Sequence, residues 1–399
     1  MQASRFSPLD VARKLLPVRG GSRLVRVFGD ASGAVADLGV LVPIATALIV
    51  KNGLDAGTVL VGVGTLYVVA GLYFGVPVPV QPIKAAAAIA IARDLSPATI
   101  AAAGFLLGVI LVVLSASRVA AVLSRVFTKP VVRGLQLGVG LLLVKSALKL
   151  PTPPVSISTW MIAAACAVLL VIAARNRQWP LALGIVVGGI VWSIFFASRT
   201  VTLEPRLWHP SVMSDVFRPS VLWSAFTLLV IPQIPLTFGN AVVALTDLEH
   251  RYFGARARRV NPASVCLSAG MANIVVGSMG GMPMCHGSGG LTAHYRSGAR
   301  SPRMNLLIGV PLLVFGIGFG ATAFSLLALI PVAVLMGLLA FTGVMHAFLV
   351  SDLRGYELAV ALAMGAIGLL TANLAWALAM GLVLVWAGRL SSKARTRVE

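Results

Sequence analysis

The chain has 399 residues, of which 58% are hydrophobic and only 11% are charged, and its mean hydropathy is +0.95. A soluble domain carries about 25% charged residues, so this composition excludes a water-soluble globular fold. The formal net charge of +20 does not indicate a nucleic-acid partner, because the cations lie in short segments between apolar runs. The three cysteines lack metal-ligand spacing, and we predict no disulfide framework, no metal site and no cofactor.

Apolar runs long enough to cross a bilayer recur along the whole chain. They follow a basic N-terminal segment that lacks the compact apolar core of a signal peptide. Two shorter segments, at about 80–93 and 284–297, bring the number of segments to fourteen. The longer runs lie at about 31–50, 57–75, 97–116, 131–149, 158–174, 180–198, 221–247, 262–279, 304–322, 325–342, 355–371 and 372–388. We therefore predict an all-α polytopic membrane protein with about 14 transmembrane segments, in which segments 3 and 10 are half-helices.

Lysine and arginine are distributed unevenly between the two sides that these segments define. The side of the two termini holds 24 of the 32 cations, the opposite side holds seven, and Lys84 lies within a short segment. Because positively charged loops stay in the cytoplasm, we predict an integral protein of the plasma (inner) membrane with both termini cytoplasmic.

Several landmarks recur along the sequence at a nearly constant separation. They are Pro79 and Pro283, which are 204 residues apart (283 − 79), and two pairs 203 residues apart, Asp37 with Asn240 and Arg93 with Arg296. Two halves of seven segments each must run through the membrane in opposite directions, which is typical of secondary transporters. We therefore predict a 7+7 inverted repeat.

Proline and glycine interrupt the two short segments. Three prolines in "GVPVPVQPIKA" (Gly75–Ala85) preclude a continuous helix, so we expect extended chain over 76–81 and a helix that begins near Pro82. In "GGMPMCHGSGG" (Gly280–Gly290) we expect the same change near His286. The two helix N-termini would meet near the bilayer midplane, where free N–H groups and partial positive charge form an anion site.

Polar side chains around these two helix starts are candidates to bind the anion. Lys84 would add a positive charge, or else form a structural ion pair with a carboxylate. His286 would donate to the anion, or else cap its helix as a neutral ring. The predicted substrate-binding residues are Gln81, Pro82, Lys84, Gln233, Asn240, Cys285, His286, Gly287 and Ser288.

Two other predicted spans complete the candidate site. "IPQIPLTFGN" (Ile231–Asn240) breaks the eighth of the fourteen segments, at 221–247, with two prolines. Gln233 and Asn240 either contact the anion or satisfy the backbone groups that the prolines leave free. Asp37 is a candidate proton carrier, because an ionised carboxylate would repel the anion. Its alternatives are an ion pair with Lys84 or a helix cap. Glu249 falls at a predicted cytoplasmic end, where we expect a solvated charge.

Four segments resemble the signatures of a known family: "GDASGAVADLGVLVPIATAL" (Gly29–Leu48), "GLYFGVPVPVQPIKAAAAIAI" (Gly71–Ile91), "FGNAVVAL" (Phe238–Leu245) and "GGMPMCHGSGGLTAHYRSGARS" (Gly280–Ser301). They are similar to those of the molybdate transporter type 1 family, a branch of the sulfate permease (SulP) superfamily. One departure is Ala36-Asp37-Leu38-Gly39, where the family tends to have G-D-L-G. The resemblance implies core and gate domains, molybdate as substrate, and, as in the molybdate branch, no C-terminal STAS domain.

The sequence therefore predicts a secondary active transporter of a tetrahedral oxyanion, with molybdate as the substrate that the resemblance implies and a proton as a possible coupling ion. Alternatives are a sulfate transporter, an anion channel of the same fold, a nucleobase or proton symporter, and a membrane-embedded enzyme; we favour no enzyme, because Cys285 and His286 alone are too few catalytic groups. A homodimer in the lipid bilayer is an open alternative. The predicted bodies are a basic segment (1–28), core (29–117 and 221–322), gate (118–198 and 323–390), a linker (199–220) and a tail (391–399).

Overall fold

The computed structural model describes residues 23–36, 38–116, 128–150, 156–173, 181–196, 204–323, 325 and 328–395. The first half of this part of the chain contains α1 (Arg23–Val35), α2 (Leu38–Asn52), α3 (Ala56–Phe74), strand β1 (Gln81–Pro82), α4 (Lys84–Arg93), α5 (Pro97–Ala116), α6 (Lys129–Leu148), α7 (Ile157–Ala173) and α8 (Leu181–Phe195). The second half contains α9 (Pro219–Ala257), α10 (Pro262–Ser278), strand β2 (Met284–Cys285), α11 (Ser288–Arg296), α12 (Arg303–Phe319), α13 (Val332–Ala347), α14 (Gly355–Thr371) and α15 (Leu374–Arg395).

Helices lie within all of the predicted segments, although the segment at 31–50 falls on two helices, α1 and α2, and the prediction of an all-α membrane protein is confirmed. Among the described residues, seven helical segments are long and apolar enough to cross a membrane by length and composition. The number of crossings stays a prediction. The predicted segment at 325–342 is displaced, because its helix begins only at Val332, after Pro331, which has no N–H to continue a helix backwards.

Local sequence signals set the ends of the helices around the centre. The carboxylate of Asp55 caps α3 by accepting from the N–H of Thr58 at 2.7 Å. Gly75 ends the same helix with a left-handed φ of 70°, which glycine adopts without steric cost. Asn261 and Ser264 form a reciprocal capping box at the start of α10, with Pro262 in its first turn.

Three crossings of glycine on glycine reveal the symmetry of the two halves. An added Cβ would lie within about 3 Å of the facing helix backbone at Gly64 against Gly309 (α3 and α12), Gly108 against Gly270 (α5 and α10) and Gly140 against Gly343 (α6 and α13). The separations 270 − 64, 309 − 108 and 343 − 140 are 206, 201 and 203 residues. In the repeat, Gly64 therefore corresponds to Gly270 and Gly108 corresponds to Gly309, so the first two crossings are equivalent to each other. Gly140 corresponds to its own partner, Gly343. Both relations are expected if a two-fold axis relates the two halves.

The two extended segments that precede the half-helices are held by asparagine amides. Asn305 of α12 accepts from the N–H of Val78 at 3.0 Å and donates to the carbonyl of Val78 at 2.7 Å. Asn273 of α10 makes the same pair of bonds to Met284, at 2.8 and 2.6 Å. Both asparagines are fully buried. Backbone that leaves a helix inside a membrane protein needs such internal partners, because lipid offers none.

The prediction that the two prolines break the eighth span is wrong. Within α9 the helix is continuous from Pro219 to Phe253, and a short 3-10 turn at Gly254–Ala257 follows it, although Pro232 and Pro235 each remove a backbone donor. Wider π-type turns at Phe226–Val230 and Thr237–Ala244 flank the prolines. Such turns shift the hydrogen-bond ladder and let the helix pass its prolines without ending.

Candidate functional site

Strands β1 and β2 bring the starts of the two half-helices side by side. They pair antiparallel, with Gln81 opposite Cys285 and Pro82 opposite Met284. The N–H of Ile83 extends the pairing by donating to the carbonyl of Pro283 at 3.0 Å. The helices begin two residues later than expected, at Lys84 and Ser288, because Pro82 and His286 still belong to the extended segments.

Lys84 is the first residue of α4, and its ammonium group is held by the strand before it. Its Nζ donates to Oε1 of Gln81 at 2.6 Å. Across the sheet, Gly287 lies so close that an added Cβ would overlap Oε1 of Gln81 and come within 3.6 Å of Nζ of Lys84. Because Gly287 has no side chain, the hydrogen-bonded side chains of Gln81 and Lys84 fit beside it without a steric clash.

The N-terminus of α4 is already occupied by a side chain from α9. Oε1 of Gln233 accepts from the N–H groups of Ala85 and Ala86 at 3.1 and 3.3 Å. Nε2 of the same amide donates to the hydroxyl of Thr237 at 2.9 Å. An amide oxygen thus lies where the first turn of a helix attracts an anion.

The N-terminus of α11 is arranged differently. The hydroxyl of Ser288 donates to Oδ1 of Asn240 in a short hydrogen bond. No described side chain accepts from the N–H groups of Ser288, Gly289 or Gly290 in the first turn. Gly289 is exposed, and an added Cβ there would have no neighbour within 4 Å.

A cavity of about 30 Å³ lies beside Lys84. Its polar lining comes from both predicted bodies, with Lys84, Gln233, Asn240 and Cys285 in the predicted core and Gln136 and His346 in the predicted gate. Apolar contacts complete the wall, and the full lining is Lys84, Ala85, Gln136, Val139, Gln233, Leu236, Asn240, Cys285 and His346. One cation and no carboxylate lie among these residues, so the local field favours an anion.

Gln136 and His346 line the cavity but are absent from the residues predicted from the sequence. Nδ1 of His346 lies 3.0 Å from the carbonyl of Thr342; a carbonyl only accepts, so Nδ1 carries a proton. Oε1 of Gln136 accepts from Arg133 at 2.9 Å, which leaves its NH2 group as a donor. Isolated polar residues in long apolar helices were the available signal, since such residues mark functional sites by default.

His286 does not line the cavity and does not cap α11. Its Nδ1 donates to the carbonyl of Pro79 at 2.8 Å, and its Nε2 lies 3.0 Å from the hydroxyl of Ser268. The ring is fully buried, edge-on to Phe74. The structure therefore places His286 as a tie between the two extended segments and α10.

Asp37 and Glu249 are the two acidic residues singled out in the sequence. Asp37 lies outside the described residues. Glu249 is 0% exposed, so the expectation of a solvated charge is wrong. Neither of its carboxylate oxygens has a hydrogen-bond partner in the described part of the chain. Its position between charged neighbours in "TDLEHR" suggested a loop, whereas α9 continues through it and turns its side chain inwards.

Comparisons with known proteins agree on a transporter. Residues 29–143 and 225–345 match the family described as "Molybdate transporter of MFS superfamily". Two relatives from Arabidopsis thaliana, Molybdate transporter 2 and Molybdate transporter 1, are each 31% identical, over 82% of this chain and 80% of their own lengths. Molybdate transporter 1 of Chlamydomonas reinhardtii is 27% identical over 86% of this chain and 88% of its own length.

Solved structures identify the fold. The transmembrane domain of the cyanobacterial bicarbonate transporter BicA superposes with a TM-score of 0.66 at 18% identity, covering 92% of this chain and 98% of that one. Murine Slc26a9, an anion transporter in the inward-facing state, gives a TM-score of 0.63 at 14% identity, covering 98% and 73%. The family description mentions the MFS superfamily, but the fold is that of these SulP-type proteins, in agreement with the repeat found above.

Proposed function

The chain belongs to the molybdate transporter family, and from this membership we propose that it is a secondary active transporter that carries molybdate as a tetrahedral dianion. The anion would bind at the paired starts of α4 and α11. One observation carries this placement: the cavity beside Lys84 has a single cation and no carboxylate in its described lining. A nucleobase symporter would instead need a carboxylate facing an uncharged substrate.

Binding requires a rearrangement of Gln233. The cavity volume of about 30 Å³ has room for about two or three water molecules, since one water needs about 10–15 Å³, and an oxyanion with four oxygens is larger. Gln233 now holds the N–H groups of Ala85 and Ala86. In the proposed bound state these two donors turn from the amide oxygen to an anion oxygen, and the side chain of Gln233 moves aside.

Lys84 provides the charge-assisted contact. Gln81 and Gly287 hold its ammonium group at the start of α4, so little side-chain entropy is lost when the anion arrives. The open first turn of α11 would supply further N–H donors, with Asn240 orienting the hydroxyl of Ser288. Cys285 lines the cavity, and Pro82 pairs with Met284 in the sheet that precedes the two helices.

The composition of the cavity wall supports alternating access. Gln136 and His346 belong to helices of the predicted gate, whereas Lys84, Gln233 and Asn240 belong to the predicted core. A relative displacement of the two bodies would separate these two sets and open the site towards one side of the membrane. Helices α6 and α13 cross at Gly140 and Gly343, next to the cavity residues Val139 and His346.

A coupled proton would offset part of the substrate charge, because a dianion beside one lysine leaves a net negative charge inside the membrane. Asp37 is the first candidate to carry it, by its position in the repeat opposite Asn240. Glu249 is the second, because it is buried without a partner among the described residues, and an isolated buried charge is costly.

The decisive experiment is uptake into proteoliposomes. Purified protein would be reconstituted and tested for saturable uptake of labelled molybdate, with and without a pH gradient. Sulfate, tungstate, phosphate and uracil would be added as competitors. We expect molybdate uptake that tungstate inhibits strongly, uracil does not affect, and an inward proton gradient accelerates.

Other outcomes favour the alternatives. Inhibition by sulfate at lower concentrations than by unlabelled molybdate would make the protein a sulfate transporter. Anion conductance without saturation would make it a channel. Uptake that ignores the pH gradient would remove the proton from the proposal while leaving the anion site intact.

A further inference from the structure

We propose that a groove between α3 and α10 binds one anionic phospholipid, with an acyl chain in the groove and the phosphate at Arg259. The groove has a volume of about 370 Å³. Its wall is almost entirely apolar and includes Val69 and Met271, which are 52% and 49% exposed in the isolated chain. In a bilayer this surface faces hydrocarbon, so its occupant must itself be apolar.

The length of the groove matches one leaflet. It runs along α3 from Gly62 to Tyr73, eleven residues of helix, or about 17 Å at a rise of 1.5 Å per residue. One leaflet contributes about 15 Å of the hydrocarbon thickness. A single acyl chain therefore spans the groove from a headgroup at one end to the bilayer centre at the other.

A cation lies at one end of the groove. Tyr73 and Ser264 line that end, and both contact Arg259. The guanidinium of Arg259 donates to the carbonyl of Tyr73 at 2.8 Å and lies 6.0 Å from the centroid of its ring. The hydroxyl of Ser264 donates to the carbonyl of Arg259 at 2.7 Å. Most of the five N–H donors of the guanidinium remain for a phosphate.

The surrounding sequence strengthens this charge. Residues 251–264 contain four arginines and no acidic residue. Arg251 and Arg256 are engaged elsewhere, with Asp247 and with the carbonyl of Arg300. Basic sites at the cytoplasmic ends of membrane helices recognise anionic headgroups, which selects an anionic phospholipid over a zwitterionic one.

The groove also reaches the centre of the molecule. Ser268 is part of its wall, and its hydroxyl bonds to Nε2 of His286, whose Nδ1 donates to the carbonyl of Pro79. These two hydrogen bonds connect the wall of the groove to the extended segments that precede the half-helices. A bound lipid would therefore stabilise the packing of α3 and α10 behind the candidate site.

The test is native mass spectrometry of the full chain released from nanodiscs that contain equal amounts of phosphatidylglycerol and phosphatidylcholine. We expect the wild-type protein to retain one phosphatidylglycerol in preference. Arg259→Gln should lower this preference about five-fold, since one cation near the membrane surface contributes about 1 kcal/mol. Arg259→Lys should keep most of it, and the matched control Arg251→Gln, in the same basic segment but outside the groove lining, should keep all of it.

A second variant tests the groove itself. Met271→Trp fills it from its exposed side and should lower retention of both lipids, whatever the folding state of the Arg259 variants. Equal retention of phosphatidylglycerol by Arg259→Gln and Arg251→Gln would overturn the proposal, as would unchanged retention by Met271→Trp. A wild-type dimer that Met271→Trp dissociates would show that a second copy covers the groove, and would also overturn it. None of these measurements involves molybdate, so they stand apart from the proposed transport function.

Discussion

The starts of α4 and α11 occupy equivalent positions in the repeat but carry different chemistry. Lys84 and Ser288 are each the first residue of a half-helix and lie 204 residues apart (288 − 84), as do Gln81 and Cys285 (285 − 81). The start of α4 carries a cation, and the amide oxygen of Gln233 accepts hydrogen bonds from two of its N–H groups. The start of α11 carries a hydroxyl and two glycines, and no described side chain accepts from the N–H groups of its first turn.

The two half-helix starts therefore have different roles in the proposed site: one supplies the positive charge, and the other leaves space for the anion. An inverted repeat supplies two helix N-termini with the same backbone chemistry, and substitution then lets one half attract the anion and the other leave room for it. Gly287 links the two roles, because its missing side chain accommodates the Gln81 that anchors Lys84. The proposed site is therefore a pair of unequal halves, and each half can be changed separately.

The largest effect is expected from Gly287→Ala. The new methyl group would overlap Oε1 of Gln81 and displace the anchor of Lys84. Overpacking of about 1–3 kcal/mol added to a lost charge-assisted contact of about 1.5–3 kcal/mol predicts a fall in molybdate uptake of about 100-fold or more. Proteoliposome uptake measures it.

Gly318→Ala is the matched control for that substitution. It adds the same methyl group to α12, outside the candidate site, where no atom lies within 4 Å, so uptake should stay near the wild-type rate. Equal losses in the two variants would show that any added methyl group impairs the protein, and the link between the two halves would be refuted.

Lys84→Gln should be next in size. Loss of a charge-assisted hydrogen bond of about 1.5–3 kcal/mol predicts molybdate affinity about 10- to 150-fold weaker, measured by titration calorimetry. Arg93→Gln removes the same charge from the far end of α4 and should leave affinity unchanged.

Moving the charge sharpens this result. In the double variant K84S/S288K the cation is transferred to the equivalent position of α11. We expect little recovery of affinity, because Cys285 stands where Gln81 anchors the lysine. Full recovery would show that the two halves are interchangeable and that only total charge matters.

Gln233→Ala should change affinity in the opposite direction. Without the amide, the anion no longer competes for the N–H groups of Ala85 and Ala86. Each of these two hydrogen bonds, of about 0.5–1.5 kcal/mol, should make binding tighter by about 2- to 12-fold. Calorimetry on the purified variant tests the sign. Weaker binding would mean that Gln233 contacts the anion directly instead of occupying its place.

Ser288→Ala should have the smallest effect. Its hydroxyl bonds to Asn240 and acts through that contact, so we expect affinity to fall by less than about five-fold, or about 1 kcal/mol. The same calorimetric titration decides. A loss as large as that of Lys84→Gln would make the two half-helix starts equivalent in energy and contradict the unequal arrangement.

The sequence by itself determined the membrane architecture. Apolar runs of this length must be helical in lipid, because a single helix satisfies all of its own backbone hydrogen bonds there. The closely spaced prolines before Lys84 preclude a continuous helix in that segment. Near-constant separations of about 203 residues exposed the repeat, which the glycine crossings display in space. An intramembrane lysine at a helix start led to the predicted position of the anion site, and a cavity lies beside this lysine.

Only the tertiary structure decided which polar groups meet. His286 looked like a site residue from its neighbours in sequence, yet its partners Pro79 and Ser268 lie on other segments and draw it away from the cavity. Gln136 lies on α6 in the first half of the repeat and His346 lies on α13 in the second half, and both line the cavity. No local sequence pattern predicts that these two residues lie close to Lys84. Local sequence fixes backbone conformation, because prolines, glycines and caps act within a few residues. Side-chain partners depend on packing between segments that are hundreds of residues apart.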